Sequence, residues 1–342
     1  MSIRRKRLAL PPSCFDAHSL CLLNHDALLK LLISGRQKGM FLHQVRLESE
    51  RDRQQLEAAA NVFEWLEATG RSNELSKVLR TVVFPAVLAD FLYFTEEALD
   101  TSRKGKLAVC YSLLRKPLQE ALFVFEEMLI DLDEFVELIE RSPERLHSQS
   151  VGGLRSHAER INKVLELLQE TDRFDADYIV QLRYDKQTGD GFDGICNKAT
   201  NVFTGRASIR TEPMNIGFIF SGKEENLAQW NYLYTRLPYL LTYARLVIQR
   251  LCSAFSTASP EYLSDMERRV SASILIWAGS IQEDYLHPSL AKFVEATTQR
   301  LVTQCEEGGH RDLSNRALLR MRSAGAFPGE SFVRAIFRRR SA

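Results

Sequence analysis

The stretch of sequence that decides the fold is KLAVCYSLLRKPLQEALFVFEEMLIDLDEFVELIE, residues 106–140. At about 100° of rotation per residue, apolar side chains fall together on one side of a helix. There are eight of them: Leu107, Cys110, Leu114, Leu118, Ala121, Leu122, Phe125 and Met128. An apolar arc of about half the circumference is wider than a coiled-coil seam, so it predicts a helix that packs against several neighbours.

The opposite side of this helix is polar, with Phe123 as the exception; it carries Arg115, Lys116, Gln119, Glu120, Glu126 and Glu127. Pro117 lies inside the pattern. It predicts a kink or a break near Lys116, because proline has no N–H to donate to the helix. Asp131 is placed to cap a following helix, which Pro143 would end.

The composition is that of an ordinary globular protein, with 342 residues, 45% apolar and 26% charged, and a net charge of +1. Such a charge gives no global field to attract nucleic acid or a membrane. The six cysteines form no CxxC pair, which indicates a reduced, cytoplasmic protein. No apolar run reaches the roughly 18 residues of a membrane span, so none is predicted. The nearest approach, residues 81–95, is interrupted by Pro85 and Asp90.

Helical periodicity continues through most of the chain and predicts an all-α fold, an irregular multi-helix bundle with at most one short strand or hairpin near 211–221. One helix is expected from Ser13 to Ile33, with Gly35 as its stop, and a longer one from Met40 to Ala68. The predicted units are a basic tail (1–12), an N-terminal helical half (13–140), a C-terminal helical half (154–325) and a basic C-terminal tail (326–342). We expect the two halves to pack as one unit across the loop 141–153.

Two motifs that suggest a cofactor do not fit their chemistry. Cys14, His18, Cys21 and His25 share one helix face, but the eleven residues rise roughly 16 Å, which is too far for one tetrahedral shell. We therefore interpret them as core residues and predict no metal. The glycine-rich sequence GDGFDG at 189–194 follows no strand, and its two aspartates would repel a pyrophosphate. No cofactor is predicted.

Two arginine–histidine spacings bear on catalysis. Arg141 and His147 are separated by five residues, and Arg36 and His43 by six. A histidine can move the 2′-hydroxyl proton of RNA while an arginine holds the phosphate. The first spacing resembles the R-x4–6-H signature of the HEPN family, small helical domains that often act as ribonucleases in bacterial toxin and defence systems. The resemblance implies metal-independent RNA cleavage with Arg141 and His147 as catalytic residues contributed by two facing subunits.

The sequence departs from the HEPN pattern in the spacer, where Pro143 stands and where the polar residue after the arginine is only Ser142. Roughly two such spacings are expected by chance in a chain of this composition, which is the number found. No Gly-x-Ser-x-Gly, Walker or HExxH motif is present. The favoured hypothesis is therefore a soluble intracellular helical protein that acts by protein–protein interaction or regulation, with a protein partner or a second copy of itself.

A third hypothesis is a ligand-sensing helical domain. Arg206, Arg210 and Lys223 flank the strand-like patch and could together receive a phosphate or a carboxylate. Basic clusters at the two ends, residues 4–7 and 338–340, make contact with nucleic acid a further option, although solvated tails explain them as well.

Overall fold

A computed structural model describes residues 9–200, 218, 221–253, 259–310, 313–328 and 330. Within these residues the chain is helical and has no β-strand, which confirms the all-α prediction. The strand or hairpin predicted near 211–221 lies outside the described residues, apart from Phe218 and Ser221.

The α-helices of the described residues follow one another along the chain as α1 (Phe15–Gln37), α2 (Glu50–Ala58), α3 (Val62–Ala68), α4 (Ser72–Arg103), α5 (Leu107–Arg115), α6 (Leu122–Ile130), α7 (Leu132–Arg141), α8 (Leu154–Leu168), α9 (Ala176–Tyr184), α10 (Phe192–Thr200), α11 (Lys223–Cys252), α12 (Pro260–Ala278), α13 (Pro288–Glu307) and α14 (Asn315–Ala324). Short 3₁₀ helices occupy Pro12–Cys14, Pro143–Leu146, Ser148–Val151 and Glu283–Tyr285.

The main hydrophobic core draws side chains from both predicted halves, from Leu10 near the start to Phe293 on α13. Helix α11 lies at its centre and is buried on every side from Tyr232 to Arg245. Helix α1 packs against both α11 and α4. All eight apolar residues predicted on α5 and α6 are buried, so the apolar arc is confirmed. Asp131 caps α7 as predicted, accepting hydrogen bonds from the backbone N–H groups of Asp133 and Glu134.

The kink predicted at Pro117 takes the form of a π-helical turn, Lys116–Ala121, between α5 and α6. Such a turn inserts one extra residue into the helix and disturbs its hydrogen-bond ladder. Arg183 of α9 binds at this turn, where its Nε donates to the Leu118 carbonyl oxygen at 2.6 Å. Gln119 Nε2 donates in return to the Arg183 carbonyl oxygen at 2.7 Å. The turn is therefore a docking point for α9.

Gln119 and Glu126, which the periodicity places on the polar side of the helix, are both buried. Glu126 is 0% exposed. Its carboxylate lies 2.5 Å from Arg183 Nη1 and 2.7 Å from Arg160 Nη1, and it accepts a hydrogen bond from the Tyr243 hydroxyl at 2.7 Å. Burial would raise the pKa of Glu126, but Arg183 and Arg160 together lower it below the ordinary value. The carboxylate is thus held ionised inside the core.

The single helix predicted from Met40 to Ala68 is wrong. Residues 42–48 have no regular secondary structure, and the rest is divided between α2 and α3. Side-chain caps cause the division: Ser49 accepts from the Asp52 N–H at 3.1 Å, and Asn61 accepts from the Phe63 and Glu64 N–H groups. Each cap starts a new helix.

Replacing Glu126 with Gln is expected to lower the free energy of unfolding by roughly 3–5 kcal/mol, because two buried guanidinium groups lose their counter-charge. The matched control is Glu137→Gln, which breaks the exposed pair between Glu137 and Arg141 and should cost less than about 1 kcal/mol. Urea denaturation of the two variants measures both values. Equal losses would contradict a central role for the buried pair.

Beside this cluster, the imidazole of His157 is buried and stacks on the Tyr184 ring at a centroid distance of 3.8 Å. Burial, together with the nearby charges of Arg160 and Arg183, lowers the pKa of His157 from 6.5 to about 4. The unfolded chain therefore binds a proton more readily than the folded chain between these two pH values. The stability that depends on neutral His157 is fully present above about pH 6.5 and is lost as the pH drops toward 4.

Replacing His157 with Phe keeps the ring stack and removes the titrating group. We expect the variant to lose less stability than the wild type between pH 6.5 and 4, by on the order of 2 kcal/mol. Thermal unfolding across this range measures the difference, with His147→Phe, at an exposed position, as the control. An unchanged slope in the His157 variant would refute the assignment.

Candidate functional site

The predicted catalytic pair lies on the surface. Arg141 is the last residue of α7 and His147 lies between two 3₁₀ helices, with side chains 74% and 71% exposed. Each is next to a different carboxylate: Arg141 Nη1 is 2.5 Å from Glu137 Oε1, and His147 Nδ1 is 3.9 Å from Glu120 Oε2. Pro143 begins the 3₁₀ helix between them. RNA cleavage by this pair stays a prediction.

The predicted ligand site is described only at one of its residues. Lys223 is exposed and begins α11, whereas Arg206 and Arg210 lie outside the described residues. The basic clusters at 4–7 and 338–340 also lie outside them. Just after the first cluster, the backbone N–H groups of Ala9 and Leu10 donate to the Arg103 carbonyl oxygen, and Leu10 enters the core.

The cysteine–histidine face of α1 points into the protein. Cys14, Cys21 and His25 are buried, and His18 Nδ1 shares a hydrogen bond of 2.8 Å with the Tyr234 hydroxyl. Among the described residues, no cluster of three or more His, Cys, Asp or Glu side chains is arranged to hold a metal ion.

Helix α4 is the one helix of the described part that is long and apolar enough to cross a membrane. Of its most apolar 18-residue window, 56% is buried inside the protein, as in the core helix of a globular domain. The remaining part of α4 faces outward, and this outward part is the candidate for a functional site.

A groove of about 340 Å³ runs between the C-terminal end of α1 and the middle of α4. Its lining is mostly apolar: Gly39, Phe41, Leu42, Val82, Pro85 and Ala86, with Arg36 and Thr81 at its sides. Leu42 is 78% exposed and Val82 is 50% exposed, and they stand on opposite walls. Two large exposed aliphatic side chains facing one concavity are typical of a binding surface.

The outer wall of the groove depends on two glycines. The helix stop predicted at Gly35 is wrong, since α1 continues to Gln37 and Gly35 is buried within it. A Cβ atom at Gly35 would lie only 2.5 Å from the Phe41 ring, so this glycine is the seat for Phe41. The turn that brings Phe41 back requires Gly39, whose φ of +65° favours glycine. Met40 N–H then donates to the Gly35 carbonyl oxygen at 2.9 Å.

Both ends of this wall are fastened to α4. The Phe41 ring packs against the Phe84 ring with centroids 5.9 Å apart. Two residues further on, His43 Nε2 donates to Glu74 Oε2 at 2.5 Å, and Lys77 donates to the other oxygen at 3.0 Å. These hydrogen bonds from His43 and Lys77 lower the pKa of Glu74 below its ordinary value. Leu42 is thereby held outward between two anchored neighbours.

The two segments that line the groove carry charges of one sign. No acidic residue occurs between Asp26 and Glu48, or between Glu74 and Asp90, so the segments that form both walls carry only basic charges. Each of the flanking acids on α4 already has a cation: Glu74 contacts Lys77, and Asp90 lies 2.8 Å from Lys116.

Sequence reasoning did not find this groove. The second arginine–histidine spacing, Arg36 and His43, does fall at its edge, but His43 serves to fasten the wall. Leu42 lay within a predicted helix, and the apolar pattern of α4 does not reveal which of its faces lacks a neighbour. The sequence signals that could have found it are the close pair Gly35 and Gly39 and the long stretch without acids.

Comparison with known protein families, with curated proteins and with solved structures gives no match to this chain.

Proposed function

We propose that this chain is a helical interaction protein, and that it binds an apolar segment of a partner protein in the groove between α1 and α4. The observation that carries the proposal is the exposure of Leu42 and Val82 on opposite walls of one groove. Burying large aliphatic side chains contributes roughly 1.5–3 kcal/mol each, so these two residues can act as anchors for a partner.

The way the groove is built supports this proposal. Phe41 is seated on Gly35, and His43 is hydrogen-bonded to Glu74, so the wall that presents Leu42 is fixed before any partner arrives. A preformed site binds more tightly because little conformational entropy is lost on association. A wall that is anchored on both sides of an exposed leucine is well suited to recognition.

A groove variant tests the proposal directly. Leu42→Asp combined with Val82→Asp places two charges in the apolar surface and should reduce partner binding at least about tenfold. The matched control is Leu286→Asp with Val109→Asp, which changes two comparably exposed aliphatic residues outside the groove lining. Affinity purification from the native cells, with quantitative mass spectrometry, compares both variants with the wild type.

A protein recovered with the wild type and the control but not with the groove variant is the expected result. The same set of proteins from all three baits would refute the groove as the binding site. Thermal melts of the purified variants show whether both remain folded. A dimer in light scattering that disappears only in the groove variant would identify a second copy of the chain as the partner.

Metal-independent RNA cleavage by Arg141 and His147 is the second candidate function. It is supported by the exposure of both side chains on one surface and by the negative charge of Glu120, 3.9 Å from His147 Nδ1, which favours a protonated imidazole nearby. A general base contributes roughly 10²–10⁴-fold to a rate.

If this second function holds, His147→Ala and Arg141→Ala should each slow RNA cleavage in EDTA at least about a hundredfold. Arg145→Ala, at an exposed position in the same loop, should cleave at the wild-type rate. Intact RNA after incubation with the wild-type protein, beside a ribonuclease control that cuts it, would eliminate the hypothesis.

A further inference from the structure

We infer that the partner segment is an acidic amphipathic helix, whose apolar face enters the groove while its carboxylates pair with Arg36 and Lys38. This inference rests on the function proposed above and specifies the chemistry of the partner. It follows from the backbone, the shape and the charges of the two walls.

The backbone of the walls suits a partner that satisfies its own hydrogen bonds. The inner wall belongs to a continuous α-helix, α4, and the outer wall is the end of α1 with the turn that follows it. Neither wall offers the edge of a β-sheet to which an extended peptide could add a strand. A helix has no such need, because its backbone groups bond within the helix.

The shape fits the side chains of one helix face. Val82 and Ala86 are one helical turn apart on α4, and Leu42 stands across from them. A partner helix presents apolar residues at positions i, i+3, i+4 and i+7, which form a similar stripe. The volume of about 340 Å³ accommodates a few aliphatic side chains.

The charges of the two walls indicate the sign of the charge on the partner. Arg36 lines the groove, and Lys38 follows it at the end of α1; both are exposed. Within the described residues, no carboxylate forms an ion pair with either of them. Lys77 on α4 is already paired with Glu74 and Lys30 lies over the Tyr262 ring, so Arg36 and Lys38 are the charges on which the choice of partner rests. Charge complementarity therefore favours a partner with carboxylates beside its apolar stripe.

The experiment is selection from a displayed library of random peptides about as long as four helical turns. The full chain is the bait, and the Leu42→Asp, Val82→Asp variant is used for counter-selection. The expected winners have leucine, isoleucine or phenylalanine at helical spacing and an excess of Glu and Asp. Synthetic copies of the winners are then titrated by fluorescence anisotropy.

A charge-reversal variant, Arg36→Glu with Lys38→Glu, should weaken these peptides at least about tenfold, and added salt should weaken them in the wild type. The matched control reverses two exposed charges elsewhere, Arg51→Glu with Lys163→Glu, and should bind as the wild type does. Because cations at the end of α1 also favour its helix dipole, the melting temperature of each variant is measured alongside.

The outcomes distinguish a failure of the acidic-partner inference from a failure of the groove as a binding site. Peptides that need the groove but are neutral or basic would overturn the acidic partner and leave the interaction function standing. Peptides that bind the groove variant equally well would overturn both. If vesicles of phosphatidylcholine with phosphatidylserine bind the wild type and not the groove variant, while no peptide does, the site faces a lipid surface and the inference is wrong.

Discussion

The ionised carboxylate of Glu126, enclosed by Arg183, Arg160 and the Tyr243 hydroxyl, is the constraint on which the rest of the structure depends. A buried charge is tolerated only when its partners are close and well placed. Those partners come from α8, α9 and α11, so one side chain of α6 fixes three other helices around it. The π-helical turn before α6 adds a further bond to Arg183 and sets the register of α9.

A related cluster joins α12 to α11. Glu267 of α12, whose side chain is partly exposed, lies 2.8 Å from Arg173 and 3.1 Å from Arg245, and these two cations lower its pKa to about 2. The helices around a fully buried central helix need a defined orientation, and apolar packing alone allows several orientations. We interpret the two charge clusters as the contacts that fix the orientation. The groove between α1 and α4 lies outside both clusters.

The features that can be predicted from the sequence are those that depend on residues close together in the chain. The apolar arc of α5 and α6 and the cap at Asp131 were predicted correctly, because helical periodicity and capping involve residues a few positions apart. The burial of Glu126 was missed, because its partner Arg183 stands 57 residues away and a glutamate in a helical pattern is ordinarily solvated. The groove was missed for a related reason: an apolar residue such as Val82 shows its exposure only when the neighbours of α4 are known.

The clustering of charge around Glu126 has a consequence for the order of events during synthesis on the ribosome. Arg183 is 57 residues later in the chain than Glu126 and Tyr243 is 117 residues later, so the carboxylate emerges before the groups that enclose it. Until Arg160 and Arg183 have followed, the side of α6 that carries Glu126 can only be covered by taking an uncompensated charge out of water, which is strongly unfavourable. We therefore expect this side of α6 to stay hydrated until α9 is made. A single acidic side chain thus disfavours premature burial of the surface that later receives α8 and α9.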